Sequence, residues 1–570
     1  MTPLSLHPAW LRDTLLKAAV LVLATAWIYS PVYHGEFLWD DSVLVTDNWM
    51  VQSGSLGGLA AIWAEPDGPD YFPLTYTALW LAWMAFGEDP TGYHLVNIAL
   101  HAISGLLLWR LLTQLQLPGA WLAALVFTVH PVCVESVAWI SEIKNTLSLP
   151  FFLLACLCWV RQDEAPTAAA RNRWYGGAVL AFLLALLAKP TMVGLPLLTL
   201  VYAWWKRQTL TRQDLLLMVP LLLVAVAMGL VTIWYQQERA IGDEVLPIGG
   251  PLSRLAVAGM AIAFYLVTIV WPVGLMPVYP QWSVQPVEPW QLLPWVGLAG
   301  AAWFSWKYRG RWGRHVILAG GFFLLMIAPV LGFVDMAFMR FSWVSDHFLY
   351  LPMIGPIALI VGGLTTSQRI RTELARLLSM SSGLAIFFLV IVSHAAAANW
   401  VDTITLWTYT LEGNPNAWPA HLTLGNERLA NDDVGAAFHY YSRAGELFKP
   451  LRKTRHYRSA LVETLIKQRK YIEALQTLEG FLREDNWQGS QTANTCPDYE
   501  MLAVLQKAKQ TVQQLRQTND DDEQLLLVQG RLFLLAGETA RAQDVFLEVL
   551  TGNPLSSDAK RYLEAVRLGN

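Results

Sequence analysis

Long apolar segments, separated by short polar interruptions, fill residues 12 to 400 of this 570-residue chain. A helix needs about 20 consecutive apolar residues to cross a bilayer, where its backbone polar groups must bond within the segment. The chain is 54% hydrophobic and only 15% charged, whereas soluble domains carry roughly 25% charged residues. These features predict an all-α, polytopic membrane domain over residues 1–400.

Eleven segments are candidates for transmembrane helices: 12–33, 92–113, 117–138, 146–161, 174–190, 191–206, 213–235, 289–306, 314–333, 348–366 and 379–399. The apolar run 253–275 is the hardest to assign, because three prolines follow in WPVGLMPVYPQW and favour a break. The first segment begins like a signal peptide, but its apolar run continues past Ala24-Thr25-Ala26. We therefore expect an uncleaved first helix.

Basic residues predict the orientation, because Lys and Arg concentrate in cytoplasmic loops. Residues 34–91 contain no Lys or Arg but carry several acidic residues, so this loop is predicted to be extracytoplasmic. The basic clusters within 161–173, 206–212, 307–314 and 369–376 are then cytoplasmic, which requires 253–275 to re-enter or to lie along the outer surface. Eleven spans put the C-terminal domain on the side of the acidic loop. We expect a bacterial inner-membrane protein with both in the periplasm.

Residues 401–570 have the composition of a soluble domain and contain a repeat of about 34 residues. Positions that fit the tetratricopeptide pattern are Leu424, Gly425, Ala437, Tyr441, Ala444 and Pro450, then Gly530, Ala542, Phe546 and Pro554, with a weaker copy through Ala474 and Leu478. Residues 485–522 interrupt the array as a loop followed by a helix. The pattern predicts an α-solenoid that docks a peptide or protein, or one that only caps the membrane domain.

Ionisable residues at membrane depth are costly, so they indicate a functional site. Asp40 and Asp41 follow the first span, and four other polar stretches (71–101, 130–145, 188–196 and 341–355) touch the same face on the predicted topology. The side chains expected to converge there are Asp40, Asp41, Glu135, Glu142, Lys144, Lys189, Asp346 and His347, with His94, Asn145 and Tyr350 as further candidates. Scattered loop charge is the alternative.

Other classes of function are disfavoured by charge and cysteine content. The net charge of -4 predicts no nucleic-acid binding. Cys156 and Cys158 lie in apolar sequence without the spacing of a zinc or redox site. A membrane-anchored scaffold remains an alternative to an enzyme, but eleven spans with polar motifs on one face exceed what an anchor requires.

The order of the motifs resembles the transmembrane and tetratricopeptide repeat-containing O-mannosyltransferases and their bacterial relatives. The motifs are the Asp40-Asp41 pair, YFPLT with GYHLVN, HPVCVESVAWISEIKN, DHFLYLPMIG and the terminal repeats. The resemblance covers nearly the whole chain. It implies a GT-C glycosyltransferase that uses a polyprenyl-phosphate-linked sugar outside the cytoplasm, with the catalytic carboxylate in the Asp40-Asp41 pair. Phe72 and His347 depart from basic residues of the eukaryotic pattern, which leaves the sugar open.

The chemistry of such a reaction suits these residue types. A carboxylate, of which Asp40 is the favoured one, removes the proton of the acceptor hydroxyl, and direct displacement inverts the anomeric carbon. Burial beside a second carboxylate raises the pKa of one of the two. Lys144, Lys189, His347 or Tyr350 would contact the phosphate; a divalent metal such as magnesium or manganese on the aspartates is an open alternative. The acceptor is expected to be a protein held by the repeats, or else a lipid or glycan.

Overall fold

The computed structural model describes residues 8–65, 70–242, 246–368, 372–484, 496–518 and 523–568. These described residues form helices and connecting turns without a β-strand, which confirms the predicted all-α class. The chain divides into two compact units, Met1–Asn414 and Pro415–Asn570. The division lies close to the predicted boundary at residue 400, while the identity of each domain stays a prediction.

The first unit carries the apolar helices. It begins with α1 (Pro8–Ile28), α2 (Trp49–Gln52), α3 (Leu56–Ala64), α4 (Pro73–Phe86), α5 (Pro90–Gln114), α6 (Ala120–Thr128), α7 (Cys133–Ala138), α8 (Ile143–Asp163) and α9 (Ala168–Ala188). It continues with α10 (Leu195–Arg207), α11 (Arg212–Tyr235), α12 (Pro251–Val270), α13 (Leu293–Lys307), α14 (Gly313–Ile327), α15 (Asp346–Leu349), α16 (Ile354–Gln368), α17 (Thr372–Ala398) and α18 (Thr403–Gly413).

Six helical segments of the described chain are long and apolar enough to cross a membrane: Pro90–Gln114, Ile140–Asp163, Arg212–Ile241, Pro251–Val270, Gly313–Val330 and Met380–Ala398. Five of them overlap predicted spans, so the protein has several membrane-crossing helices. The predicted span 117–138 is instead divided into α6 and α7, because the turn at His130-Pro131 interrupts it. The count of eleven spans and their orientation stay predictions.

The segment around 253–275 forms one continuous helix, α12, and the three prolines follow its end instead of breaking it. Near its start, Arg254 pairs with Asp335 at 2.6 Å. Near its end, the carbonyl of Ile269 accepts a hydrogen bond from His130 Nε2 at 3.0 Å. Both partners lie in connections that adjoin the polar stretches 130–145 and 341–355. The helix is also long and apolar enough to cross a membrane, so whether it spans stays a prediction.

The second unit consists of helices that pair with their chain neighbours: α19 (Trp418–Ala430), α20 (Val434–Leu447), α21 (Arg455–Lys467), α22 (Tyr471–Glu484), α23 (Cys496–Thr518), α24 (Glu523–Leu535), α25 (Thr539–Gly552) and α26 (Ser557–Leu568). A Cβ on Gly425 would lie 2.8 Å from the Tyr441 ring, and Gly530 meets Phe546 in the same way. Small residues thus admit aromatic rings, as the repeat pattern predicts. Of the predicted interruption, residues 485–495 and 519–522 lie outside the described chain.

Candidate active site

Asp41 is a buried carboxylate whose two oxygens both accept hydrogen bonds. The Leu38 N–H donates to one oxygen and the Ser141 N–H to the other, each at 2.7 Å, and the Ser141 hydroxyl donates to the second oxygen as well. Burial raises the pKa of Asp41 to about 7, against the lowering effect of these donors. Asp41 therefore ties the acidic loop to the 130–145 stretch, 100 residues away.

Asp40 is in a different environment from its neighbour. It is partly exposed, and no donor in the described chain makes a hydrogen bond or ion pair with its carboxylate. Burial raises the pKa of Asp40, the positive charge of Lys144 lowers it, and Asp70 and Glu142 raise it further. A carboxylate with a raised pKa and an open face is a stronger base than a fully solvated aspartate.

Trp39 comes directly before the two aspartates. Its φ is +48°, in the left-handed region that bulky residues rarely adopt. The indole ring stacks on Trp139, with centroids 5.0 Å apart and planes 8° apart, and meets the Trp407 ring edge-on at 4.9 Å. These ring contacts hold the strained turn that follows α1 and precedes Asp40.

A buried ion cluster lies at the start of α8. Glu142 is fully buried, and its oxygens lie 2.9 Å from Lys144 Nζ and 3.3 Å from Lys189 Nζ. The Asn145 side chain donates to the same carboxylate at 2.6 Å. One carboxylate thus faces two lysine side chains, of which Lys144 also lies near Asp40 and Asp70.

A second cluster forms around His347 at the start of α15. Its Nδ1 lies 2.9 Å from Glu135 Oε1, and its backbone N–H donates to Glu135 Oε2 at 2.9 Å. The next acid, Asp346, accepts a hydrogen bond from the Tyr279 hydroxyl at 2.8 Å. Asn145 joins the two clusters by donating to the His347 carbonyl at 3.1 Å.

Between the clusters lies a small cavity with a volume of about 10 Å³. We call it the head pocket; its polar lining comes from Asn145, Lys189, Thr191 and His347, and its apolar lining includes Met192 and Met326. Thr75 fixes its rim by donating to the Ala188 carbonyl at 2.9 Å. The five predicted polar stretches therefore meet at one end of the bundle, as expected.

Two of the predicted site residues lie elsewhere. The Tyr350 hydroxyl is 2.8 Å from His101 Nδ1, in a buried group with Phe127, and it does not line the head pocket. His94 packs against Gly35, where a Cβ would come within 3.1 Å of its ring. Neither residue joins the carboxylate and lysine clusters: His94 on α5 and Tyr350 directly after α15 are both buried among packed helices.

Asp70 is a site residue that sequence reasoning missed. The Gln236 side chain donates to it at 3.0 Å; burial raises the pKa of Asp70, and the charge of Lys144 is the largest influence that lowers it. Asp70 thus lies near the same lysine as Asp40. Its position directly before Tyr71, at the start of a predicted polar stretch, was the only signal that distinguished it from the other loop acids.

This chain is similar in sequence to several known proteins. Residues 67–234 match the family described as dolichyl-phosphate-mannose-protein mannosyltransferase. The human protein O-mannosyl-transferase TMTC3 is 22% identical over 94% of this chain and 64% of its own length. Drosophila melanogaster Tmtc1 is 33% identical over 26% of this chain and 16% of its own. The chain is similar in sequence to the TMTC O-mannosyltransferases.

The chain spans about two thirds of the length of human TMTC3. Among solved structures, ArnT from Cupriavidus metallidurans in the apo state aligns with 72% of this chain and 79% of its own, at 13% identity and a TM-score of 0.34. The part that matches the mannosyltransferase family contains Asp70, Glu135, Glu142, Lys144 and Lys189, but begins after the Asp40-Asp41 pair. The family match therefore covers the lysine cluster but not the aspartates.

The aspartate pair does not suit a shared metal ion. Both oxygens of Asp41 already accept hydrogen bonds from N–H and O–H donors, which leaves Asp40 without a second carboxylate oriented toward the same point. In the part of the chain that the structure describes, no three His, Cys, Asp or Glu side chains are grouped as metal ligands.

Proposed function

We propose that this protein is a GT-C-type membrane glycosyltransferase that moves a sugar from a polyprenyl-phosphate carrier to a hydroxyl group of a protein. The observation that carries this proposal is that Asp40, which is partly exposed and accepts no hydrogen bond from the described residues, lies near Lys144, one of the two lysines that share the Glu142 carboxylate. A general base and an anion site are the two groups that such a transfer needs. The relationship to the TMTC enzymes supports the same reaction class.

Asp40 acts as the general base in this mechanism. Its ionised carboxylate accepts the proton of the acceptor hydroxyl while the oxygen of that hydroxyl attacks the anomeric carbon of the sugar. The bond between the anomeric carbon and the phosphate oxygen breaks, and the lipid phosphate leaves with its electron pair. Attack opposite the leaving group inverts the anomeric centre. Asp41 holds the loop through Ser141 and Leu38, so it positions Asp40 and takes no proton.

The head pocket binds the donor phosphate. Lys189 lines the pocket directly, and its ammonium group balances the charge that grows on the leaving phosphate. Asn145 and His347 supply further polar contacts at the same wall. Lys144 lies on the side of Asp40 and Asp70, whose pKa values it lowers, so it keeps the base ionised at a pH where burial alone would protonate it.

The second unit presents the acceptor protein. Paired helices with aromatic rings seated on glycines, as at Gly425 and Gly530, build the type of array that docks extended peptides. We place this array and the active site in the periplasm of a bacterial inner membrane, on the basis of the Lys- and Arg-free loop 34–91. A lipid or glycan acceptor is the second candidate, since the head pocket itself constrains only the donor.

Transfer from labelled donors tests this proposal. Membrane vesicles that contain the protein would be supplied with a panel of radiolabelled polyprenyl-phosphate sugars together with periplasmic extract. We expect one donor to place label in the protein fraction, and alkaline β-elimination to release it as an O-linked sugar. Label only in the lipid or glycan fraction would support the second candidate, while no transfer from any donor would leave the scaffold interpretation as the better one.

A further inference from the structure

The Tyr76 hydroxyl is a buried polar group without a partner. Tyr76 lies on α4 and is 4% exposed, and its hydroxyl makes no hydrogen bond in the part of the chain that the structure describes. Proteins leave few buried polar groups unpaired, because each such group loses its bonds to water without replacement. A phenol hydroxyl can both donate and accept a hydrogen bond, so Tyr76 is a candidate contact for a substrate.

The Tyr76 hydroxyl faces the acidic side of the candidate active site. Burial raises the pKa of Tyr76 well above its usual range, and the negative charges of Asp70 and Asp40 raise it further. The effect of a charge on its neighbour falls with the distance between them, so the phenol lies close to both carboxylates. Tyr76 therefore places an open hydroxyl group beside the proposed general base.

Asp70 presents a second open group on this side, and its neighbours hold it in place. Its Oδ1 accepts a hydrogen bond from the Gln236 side chain at 3.0 Å, whereas its Oδ2 accepts none from the described residues. Gln236 is itself held, because its side-chain oxygen accepts a hydrogen bond from the Ala337 N–H at 2.9 Å. The adjoining rings of Tyr71 and Tyr235 stack with centroids 5.7 Å apart. One Asp70 oxygen thus stays available in a fixed orientation.

The start of α4 joins these groups to the head pocket. Thr75, directly before Tyr76, donates a hydrogen bond to the carbonyl of Ala188 at 2.9 Å. Ala188 directly precedes Lys189, which lines the pocket. The open phenol and the proposed phosphate-binding lysine are therefore each one residue away from the same hydrogen bond.

Lys144 provides a second link between the head pocket and the acidic side. It lies 2.9 Å from one oxygen of Glu142, whose other oxygen lies 3.3 Å from Lys189. Lys144 also lies near Asp40 and Asp70. A ligand with its phosphate in the head pocket would therefore have its next chemical group beside these two carboxylates.

The open groups of Asp70 and Tyr76 suit a ligand with several hydroxyl groups and no negative charge. A carboxylate oxygen accepts a hydrogen bond from a hydroxyl group, and the phenol can donate to a second one. A ligand that carries its own carboxylate would meet the charges of Asp40 and Asp70, and such an unpaired like charge excludes a competing ligand. The chemistry of this side therefore fits a neutral sugar.

We infer that Asp70 and Tyr76 form the subsite that binds hydroxyl groups of the donor sugar, and that this subsite selects a neutral sugar over an acidic one. The inference rests on the proposed function, which supplies a sugar linked to a lipid phosphate. A sugar hydroxyl completes the hydrogen bonding of Tyr76. A site built in this way rejects ligands without the matching hydroxyl, because its own buried groups would then stay unpaired.

Binding of lipid phosphates with and without a sugar to the purified full-length protein isolates this contact and needs no acceptor. The probes are farnesyl phosphate and its mannosyl, glucosyl and galactosyl derivatives, with the glucuronosyl derivative as the acidic sugar. The ratio of the affinities for a glycosylated and a sugar-free probe measures what the sugar contributes. We expect at least one neutral sugar to raise affinity about tenfold, and the glucuronosyl derivative to bind no more tightly than farnesyl phosphate.

Tyr76→Phe removes only the hydroxyl group. It should reduce the roughly tenfold ratio to less than about threefold and leave the affinity for farnesyl phosphate unchanged. Asp70→Asn should raise the affinity for the glucuronosyl derivative relative to the neutral sugars. Tyr93→Phe is the matched control, since it removes a hydroxyl that already donates to the Gly87 carbonyl at 2.9 Å, and it should change no ratio.

Two results with Tyr76→Phe would overturn the inference. Equal weakening of the glycosylated and sugar-free probes would mean that the hydroxyl supports only the fold, and an unchanged ratio would mean that it binds water instead of the sugar. A wild-type protein that binds every glycosylated probe no more tightly than farnesyl phosphate would also overturn it. These outcomes are independent of the transfer assay, which decides the proposed function.

Discussion

Two adjacent aspartates have opposite environments in this protein, and the difference assigns their roles. Asp41 is buried and accepts three hydrogen bonds, whereas Asp40 is partly exposed and accepts none from the described residues. The motif predicts the pair and favours Asp40. The bond that distinguishes them comes from Ser141, and no local pattern links two residues that are 100 positions apart.

Asp41→Asn should destabilise the first unit. An asparagine retains one acceptor oxygen, but its amide group faces a backbone N–H or the Ser141 donors, so a buried donor loses its partner at a cost of about 1–3 kcal/mol. The melting temperature, measured as the temperature at which monodisperse protein is lost, would report this destabilisation. Asp47→Asn, at an exposed site in the same loop, is the control and should leave the melting temperature unchanged. If Asp41→Asn also melted at the wild-type temperature, the hydrogen bonds of Asp41 would not stabilise the first unit.

The pH dependence of transfer should report Asp40. Because the base must be ionised, the rate falls as pH decreases through the pKa of Asp40, which burial raises and Lys144 lowers. Lys144→Gln removes the lowering charge, so the pKa rises and the acid limb of the pH–rate profile moves to higher pH. Lys17→Gln, at an exposed ion pair, should leave the limb in place. A limb that does not move with Lys144→Gln would argue against Asp40 as the titrating group.

At the scale of helices, apolar length and helical periodicity predict most segments, and the misses have local causes. The span expected at 117–138 is divided at His130-Pro131, where Pro131 removes a backbone donor and His130 bonds the end of α12. The prolines after α12 were expected to break the segment, but the helix is continuous to Val270 and all three prolines follow its last turn. Composition identifies an apolar segment, but contacts with other parts of the chain determine where its helix begins, ends or is interrupted.

The α19–α20 pair should depend on Gly425. A side chain there would meet the Tyr441 ring 2.8 Å from its Cβ, and overpacking of this kind costs about 1–3 kcal/mol. Gly425→Val should therefore increase hydrogen exchange in α19 and α20 of the full-length protein. Gly435→Ala, where a Cβ meets nothing within 4 Å, should leave exchange the same or slower; unchanged exchange in Gly425→Val would contradict the packing described here.

At the scale of the whole molecule, the sequence predicts the convergence of five polar stretches but not their pairing. Glu135 and His347 are 212 residues apart and Asp70 and Gln236 are 166 apart, so only the packing of several helices brings them together. Lys/Arg distribution predicts that this end of the first unit and the second unit lie on the same side of the membrane.

Labelling from outside the cell tests that topology. Single cysteines introduced for Asp47 and Ser557 in an otherwise cysteine-free protein should both react with a membrane-impermeant maleimide in intact spheroplasts. A cysteine in place of Gln208, beside the predicted cytoplasmic charges, should react only after lysis. Protection of the Ser557 position in intact spheroplasts would put the repeats opposite the acidic loop and remove them as the docking site for the acceptor.

The most direct test of the catalytic assignment compares Asp40→Asn with Asp47→Asn in the transfer assay. Both variants remove one carboxylate from the same loop, but only Asp40 lies beside Lys144 and the buried clusters. Loss of a general base typically lowers a rate by about 10²–10⁴-fold. We predict a loss of at least about 100-fold for Asp40→Asn with an unchanged melting temperature, and full activity for Asp47→Asn. A folded Asp40→Asn protein that transfers sugar at the wild-type rate would contradict the proposed mechanism.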